Sequence, residues 1–303
     1  MKVEQWAERV PKNRGEERRR QLLAEGILDT RLKPVIGHDM LWFPVTSEGN
    51  ERERVLFEAH EDRGNPVARH ELVGGIAIMQ EHDPDAAKSL LASRPGIHTV
   101  LSGIGDVQGE FRTREFEVLA GEPTTKTTIL EYGHRFVVDL SKAYFSSRLA
   151  TERQRVARQV TPGEVILDMF AGVGPFAITV AEHARLVVAA DINPDAILLL
   201  EENRVQNRCR NVLPVLADSH RLPGIMPWKY DRVIMNLPMI AHRFLREAWE
   251  LCREGGTIHL YVLESQEGEL RQEIGQFPVS SVTEHEVRSY SPGKWHAVYD
   301  IVK

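Results

Sequence analysis

Residues 165–176 read VILDMFAGVGPF, and the next apolar stretch, LVVAAD over 186–191, closes on Asp191. Both apolar runs finish in an acid, and the first continues into a glycine turn and a helix. An open α/β sheet builds a nucleotide-type pocket at its strand ends in this way. Gly172, Gly174 and Ala177 fit G-x-G-x-x-G/A, and Asp191 falls close to where a ribose-binding acid is expected. A dinucleotide-dependent dehydrogenase reads the same way, but two residues argue against it. Asp168 stands just before the turn, where a pyrophosphate would lie, and a carboxylate there repels phosphate. Pro175 removes one of the backbone N–H donors that make a helix start an anion site. S-adenosylmethionine has no phosphate and carries a sulfonium and an ammonium, so Asp168 suits it.

Outward from this stretch, strand and helix patterns alternate to the end of the chain. EVILDMF, LVVAAD, VLPVLAD, YDRVIMNL, TIHLYVLE and HAVYDIVK read as strands. PFAITVAEHA, PDAILLLEENRVQN, HRFLREAWELCREGG and EGELRQEIGQF read as helices. The order predicts a mostly parallel, doubly wound sheet over 139–303. Before it, LVGGIAIM (72–79) reads as a strand and DPDAAKSLLASRPG (83–96) as a capped helix. HTVLSG, FRTREFEVLAG and HRFVVDL read as further strands. Together they predict a small α+β domain over 61–138. Residues 13–26 carry a helix signal that includes Arg18-Arg19-Arg20, MLWFPV (40–45) reads as a strand, and the polar stretch 46–69 reads as a linker. They form a short N-terminal module over 1–60.

The 303 residues carry 38 Lys and Arg against 44 Asp and Glu, a net charge of −6. That balance makes any nucleic-acid contact a matter of a local basic face. No apolar run reaches the ~18 residues of a membrane span, and the N-terminus lacks an apolar signal core. Cys209 and Cys252 are far apart, without metal-ligand spacing. A cytoplasmic protein with no metal is expected.

Four strands end in polar residues, Asp168, Asp191, Asp218 and Asn236, and in an open sheet ligands lie outside these ends. Asp191 can accept both ribose hydroxyls, Asp218 the adenine amino group, and Asp168 the methionine ammonium or a water beside it. Asn236-Leu237-Pro238 can read a purine edge, with the amide donating and accepting and Pro238 stiffening the loop. The cofactor-binding candidates are therefore Asp168, Phe170, Gly172, Gly174, Asp191, Ile192, Asp218 and Asn236.

Two further segments carry chemistry. In YFSSRLATERQRVARQV (144–160), Tyr144 and Phe145 can stack, Arg148 and Arg153 can meet phosphate, and Glu152 can act as a base; Arg148, Arg153 and Pro238 are the substrate-binding candidates. The plain alternative is a solvated helix whose Glu and Arg pair three residues apart. In FRTRE (111–115), Arg112 and Arg114 share one strand face and suit a phosphate or a carbonyl oxygen. An exposed antiparallel strand would read the same.

Taken together these elements resemble the archaeal and eukaryotic-type tRNA (guanine-N1) methyltransferases that act at position 37, just 3′ of the anticodon, and the wyosine-pathway enzymes related to them. The resemblance spans nearly the whole chain. It rests on VPK (10–12), GILD (26–29), GEFRTREFEVLAGEPTT (109–125), YFSSRLATERQR (144–155), DMFAGVGPF (168–176), DINPDA (191–196), MNLPMIAHRFL (235–245) and SYSPGKWH (289–296). It implies a monomeric three-domain enzyme acting on tRNA, with the N-terminal module on the tRNA body. It implies Glu152 as general base, Asn236 on the guanine edge, Arg112 or Arg114 against the charge on O6, and Tyr144 at the mouth of the site. Ser147 stands where the family commonly has proline. Asn236-Leu237-Pro238 favours methyl transfer over aminocarboxypropyl transfer. Two other readings stay open: wyosine-pathway C-methylation (or aminocarboxypropyl transfer) at the same tRNA position, and a non-catalytic RNA-binding protein.

Guanine N1 is protonated at neutral pH and must lose its proton before or as it attacks a sulfonium methyl. A positioned carboxylate can take it, contributing about 10²–10⁴-fold. Burial would raise the proton affinity of Glu152 and neighbouring arginines would lower it.

Overall fold

The computed structural model describes residues 2–49, 52–59, 69–108 and 113–303. The chain parts into two compact units, 1–67 and 68–303.

In the first unit, strand β1 (Lys2–Pro11) is followed by helix α1 (Gly15–Ala24), β2 (Val35–Ile36), β3 (Met40–Val45) and β4 (Arg52–Glu58). The sheet order is β2-β3-β1-β4, and β1 is antiparallel to both neighbours. Leu22 of α1 is fully buried with Val10, Phe43 and Val45. The expected helix and the MLWFPV strand are both present. The stretch 46–69 is not all linker, because it contains β4. Only Phe57 of β4 is buried, so RERVLFE carries little apolar alternation. Ladder hydrogen bonds to β1, rather than an apolar face, make it a strand.

The second unit opens with β5 (His70–Val73) and β6 (Ile76–Met79), a hairpin where a single strand was expected. Gly74 makes the turn at φ +57, and a Cβ there would meet Thr127 and Thr128 at 2.6 Å. Helix α2 (Pro84–Ser93) is capped by Asp83, which accepts from the Asp85 and Ala86 amides. Strand β7 (Thr99–Gln108) lies parallel to β6, and β8 (Thr113–Gly121) antiparallel to β7. A separate hairpin joins β9 (Lys126–Glu131), which the sequence did not signal, to β10 (His134–Asp139).

The remaining elements are α3 (Ala150–Ala157), β11 (Val165–Asp168), α4 (Pro175–Ala181), β12 (Leu186–Asp191), α5 (Pro194–Gln206), β13 (Val212–Leu216), α6 (Leu222–Ile225), β14 (Tyr230–Met235), α7 (Leu245–Leu251), β15 (Cys252–Glu264), α8 (Arg271–Ile274), β16 (Ser281–Ser291) and β17 (Lys294–Val302). The sheet order is β13-β12-β11-β14-β15-β17-β16. The first five strands are mutually parallel, and β17 runs antiparallel to both neighbours. Leu167, Val188, Val233 and Ile258, at the centre of this sheet, are fully buried, as in parallel sheets covered on both faces. This is a doubly wound, Rossmann-like α/β architecture, as the resemblance to class I methyltransferases leads one to expect. The segment HRFLREAWELCREGG keeps its helix only to Leu251, since CREGG extends into β15.

The hairpin β9–β10 is tied to this sheet. The Asn203 side chain on α5 accepts from the Val137 amide at 2.6 Å and donates to the Val137 and Val173 carbonyls. One apolar cluster runs from Val73, Ile76 and Leu101 through Phe136 to Ile166 and Tyr261. Residues on either side of the expected boundary at 138/139 thus contribute to one apolar cluster. The boundary expected at 60/61 falls outside the described residues.

Candidate active site

The sheet's strand order turns at β11, whose neighbours β12 and β14 lead away in opposite directions. A cleft opens there at the carboxyl ends of the strands. Its wall includes Tyr144, Phe145, Phe170, Gly172, Asp191, Ile192, Asp218, Asn236, Leu237 and Pro238. These residues belong to widely separated motifs, and the fold brings them to one place.

The glycine turn shapes the floor. Gly172 (φ +54) and Gly174 (φ +88) are left-handed. A Cβ on Gly174 would strike Leu200 of α5 at 2.1 Å, so close packing of helix against turn also requires glycine there. The Gly172 amide donates to Asp191 Oδ2 at 2.7 Å, and the Asn193 amide to Oδ1 at 2.9 Å. Each Asp191 oxygen keeps lone-pair capacity for a diol. Burial raises the Asp191 pKa, against the opposing effect of those amides. Asp218 accepts from the His220 amide at 3.0 Å and faces the cleft.

Asp168 lies beneath this wall, 1% exposed, and its Oδ1 has no partner among the described residues. Burial pushes its pKa up to about 7; the Phe170 and Ala177 amides oppose this, and the Asp191 charge adds to it. A buried carboxylate oxygen without a donor, beside a cleft, is the complement of a cationic ligand. The side-chain oxygen of Asn236 is likewise buried without a partner among the described residues. With Asp191 and Asp218 further along, this donor and acceptor set fits S-adenosylmethionine.

Glu152 is not on the cleft wall, although Leu149 and Arg153 on either side of it are. Its carboxylate accepts from Arg155 Nε at 3.0 Å and Nη2 at 2.8 Å, and from the Tyr261 hydroxyl at 2.6 Å. Arg155 also donates to Asp300 at 2.6 Å. Asp300 meets His259 Nδ1 at 2.6 Å, and Arg232 Nη1 lies 2.6 Å from His259 Nε2. Arginine has no acceptor, so His259 must be protonated on Nδ1 and neutral. Burial lowers the His259 pKa in the same sense. Thus the Glu152–Arg155 pair expected of a plain helix exists, but as the end of a buried polar network.

Arg153 touches the cleft wall, but its guanidinium is engaged inside the protein. It is 1% exposed, donates to Glu131 through Nε at 2.7 Å and through Nη2, and lies over the rings of Phe145 and Phe176. Arg148 is half-exposed and pairs with Glu71 at 3.4 Å, away from the cleft wall. Arg114 lies across Gly103, donating from Nη2 to its carbonyl at 3.0 Å, and is not on the wall. Arg112 lies outside the described residues.

Three rings on the wall, those of Phe244, Tyr290 and His296, escaped the sequence reading. Phe244 packs edge-on to Phe170 at 5.1 Å and stacks on His220 at 4.1 Å. Tyr290 and His296 are stacked at 5.5 Å and 13°. These two were legible only as part of SYSPGKWH, whose spacing gives no sign that both rings reach the sheet's central cleft.

Residues 127–285 match the family described as the TRM5/TYW2 methyltransferase domain, and residues 9–53 the tRNA methyltransferase 5 N-terminal domain. The tRNA (guanine(37)-N(1))-methyltransferase Trm5b of Pyrococcus abyssi is 35% identical over 97% of this chain and 98% of its own length. The crystal structure of a complex of aTrm5 with tRNALeu superposes with a TM-score of 0.71 at 29% identity, covering 98% of this chain and 99% of that one. TYW2 of Methanocaldococcus jannaschii in complex with AdoMet superposes with a TM-score of 0.60 at 27% identity, covering 77% of this chain and 98% of that one.

Proposed function

The chain belongs to the TRM5/TYW2 methyltransferase family, and from that premise we propose that it methylates N1 of the guanosine at position 37 of tRNA, with S-adenosylmethionine as cofactor. The observation that carries this reading is that one cleft wall holds Asp191 and Asp218, from the β12 and β13 side of β11, together with Asn236-Leu237-Pro238 from the β14 side.

S-adenosylmethionine, when bound, supplies the electrophilic methyl group. Asp191 would hold the ribose hydroxyls and Asp218 the adenine amino group, and Asp168 would offer its carboxylate to the methionine ammonium. Phe170, Ile192, Gly172 and Gly174 shape the slot. Asn236, whose buried oxygen lacks a partner among the described residues, accepts from the guanine edge, and Pro238 fixes the loop that presents it. Extruding the base costs a few kcal/mol, least from a single-stranded loop, and Tyr144 at the mouth receives it.

Glu152 is the group proposed to take the N1 proton. To reach it, the carboxylate has to exchange its bonds to Arg155 and Tyr261 for one to the base. An arginine of the 111–115 segment, Arg112 or Arg114, offsets the charge that then develops on O6. The working unit is taken to be a monomer, as the resemblance implies. Among the described residues no helix is long and apolar enough to cross a membrane. The tRNA substrate is what supports a cytoplasmic site of action.

Incubation with labelled S-adenosylmethionine and unmodified tRNA, followed by nucleoside digestion, should yield 1-methylguanosine from position 37. Label found only with tRNA carrying a wyosine precursor would replace this reading with C-methylation. Glu152→Gln should lower single-turnover methylation at least about tenfold while leaving cofactor affinity unchanged. An undiminished rate would remove Glu152 as the base.

A further inference from the structure

Tyr290 and Tyr144 are the two cleft-wall aromatics with large exposed surfaces, 48% and 47%. They reach the cleft from segments far apart in the sequence. Tyr144 precedes the central strand, whereas Tyr290 sits near the end of β16, before the turn at Gly293 that leads into β17. The Tyr290 ring is backed by His296, 6% exposed, in a near-parallel stack. One ring face is therefore braced by a buried imidazole while much of the tyrosine remains open.

The sheet order locates this ring. Asp191 and Asp218 lie at the ends of β12 and just past β13, on one side of β11. Asn236 follows β14 on the other side, and β15, β17 and β16 lie beyond it. His296 on β17 is paired with Leu263 of β15, whose amide donates to the Pro238 carbonyl at 3.2 Å. Strands in a sheet are ~4.8 Å apart, so β12 and β17, four steps from each other, are separated by ~19 Å. Tyr290 thus stands past Asn236, on the side away from the adenosine-binding acids.

We propose that Tyr290, braced by His296, is a substrate-binding residue that stacks on the extruded guanine as Asn236 holds its edge. The proposal rests on the functional reading above and adds a residue to it. Stacking of a base on an aromatic side chain is tolerant of ring type but requires a ring. The phenol hydroxyl is therefore dispensable and the ring is not.

The test compares Tyr290→Ala with Tyr290→Phe in the full-length protein. Tyr290→Ala should slow single-turnover methylation of tRNA by about tenfold or more, while Tyr290→Phe stays near the unaltered rate. Calorimetry should show S-adenosylhomocysteine binding unchanged in both variants, which also reports correct folding of the cleft. With 2-aminopurine in place of guanine 37, bound fluorescence should be higher for Tyr290→Ala than for the unaltered protein or Tyr290→Phe, because the probe loses its stacking quencher. Weakened S-adenosylhomocysteine binding in Tyr290→Ala would assign the ring to the cofactor and overturn the proposal. Unchanged rate and fluorescence in Tyr290→Ala would overturn it as well. Failure of the unaltered protein to methylate guanine 37 would instead overturn the functional reading, and the stacking role with it.

Discussion

Burial keeps Asp168 protonated in the free protein up to about pH 7, with the Asp191 charge adding to the shift. The sign of the consequence follows from linkage. A folded-state pKa raised above the unfolded value of about 3.9 means that the folded chain binds the extra proton between the two. This residue's contribution to stability is therefore largest below pH ~4 and is lost as pH rises through about 7. Cofactor binding runs the other way. An ammonium near Asp168 favours the carboxylate, so binding below pH 7 must expel a proton. S-adenosylhomocysteine, which keeps that ammonium, should bind up to about tenfold more tightly at pH 8 than at pH 6. Calorimetry across that range on the unaltered protein and Asp168→Asn tests this; a slope that persists in the variant would place the titrating group elsewhere. The acid itself was legible in the sequence because it ends an apolar run before a glycine turn. Its burial was not, since that depends on how the turn and helix that carry the buried Met169, Ala171 and Phe176 fold around it.

At the scale of elements, the sheet was readable wherever a strand is buried on both faces and reads as an apolar run, as in β11, β12 and β14. It was not readable where hydrogen bonding to a neighbour outweighs pattern. Strands β4, β9 and β16 are largely polar along one face and are held by ladders to β1, β10 and β17. The same limit hid the role of Arg153. On α3 it looks like one of several arginines on a charged helix, but its partner, Glu131, sits on the unsignalled strand β9. A buried pair broken on one side leaves an uncompensated charge, at a cost of about 3–5 kcal/mol. Glu131→Ala should accordingly lower unfolding free energy by about 3–5 kcal/mol in urea, whereas Glu131→Leu combined with Arg153→Met should recover much of that loss. If Glu131→Ala left stability intact while weakening tRNA binding, Arg153 would be an RNA contact rather than a structural ion.

At the scale of the whole molecule the chain parts into two compact units, 1–67 and 68–303. Every residue on the cleft wall lies between 143 and 296, inside the second unit. The first unit has its own small cores around Leu22, Phe43 and Phe57 and carries arginine–indole pairs, Arg54 over Trp6 at 4.5 Å and Arg9 over Trp42 at 5.6 Å. In a chain of net charge −6, RNA affinity must come from a local cationic face, since each neutralised phosphate releases counterions and steepens the dependence on salt. A protein beginning at residue 68 should therefore bind S-adenosylhomocysteine as the full chain does, because nothing on the cleft wall has been removed. Its affinity for tRNA should fall by about tenfold or more, and the slope of log affinity against log salt should become shallower by about 0.7–0.9 for each phosphate that the shorter protein no longer neutralises. Titration of both proteins with tRNA at several salt concentrations separates the possibilities. An equal slope with equal affinity would mean that residues 1–67 do not touch the RNA. Unequal cofactor affinity would mean that the cleft depends on the first unit, contrary to the placement of its walls.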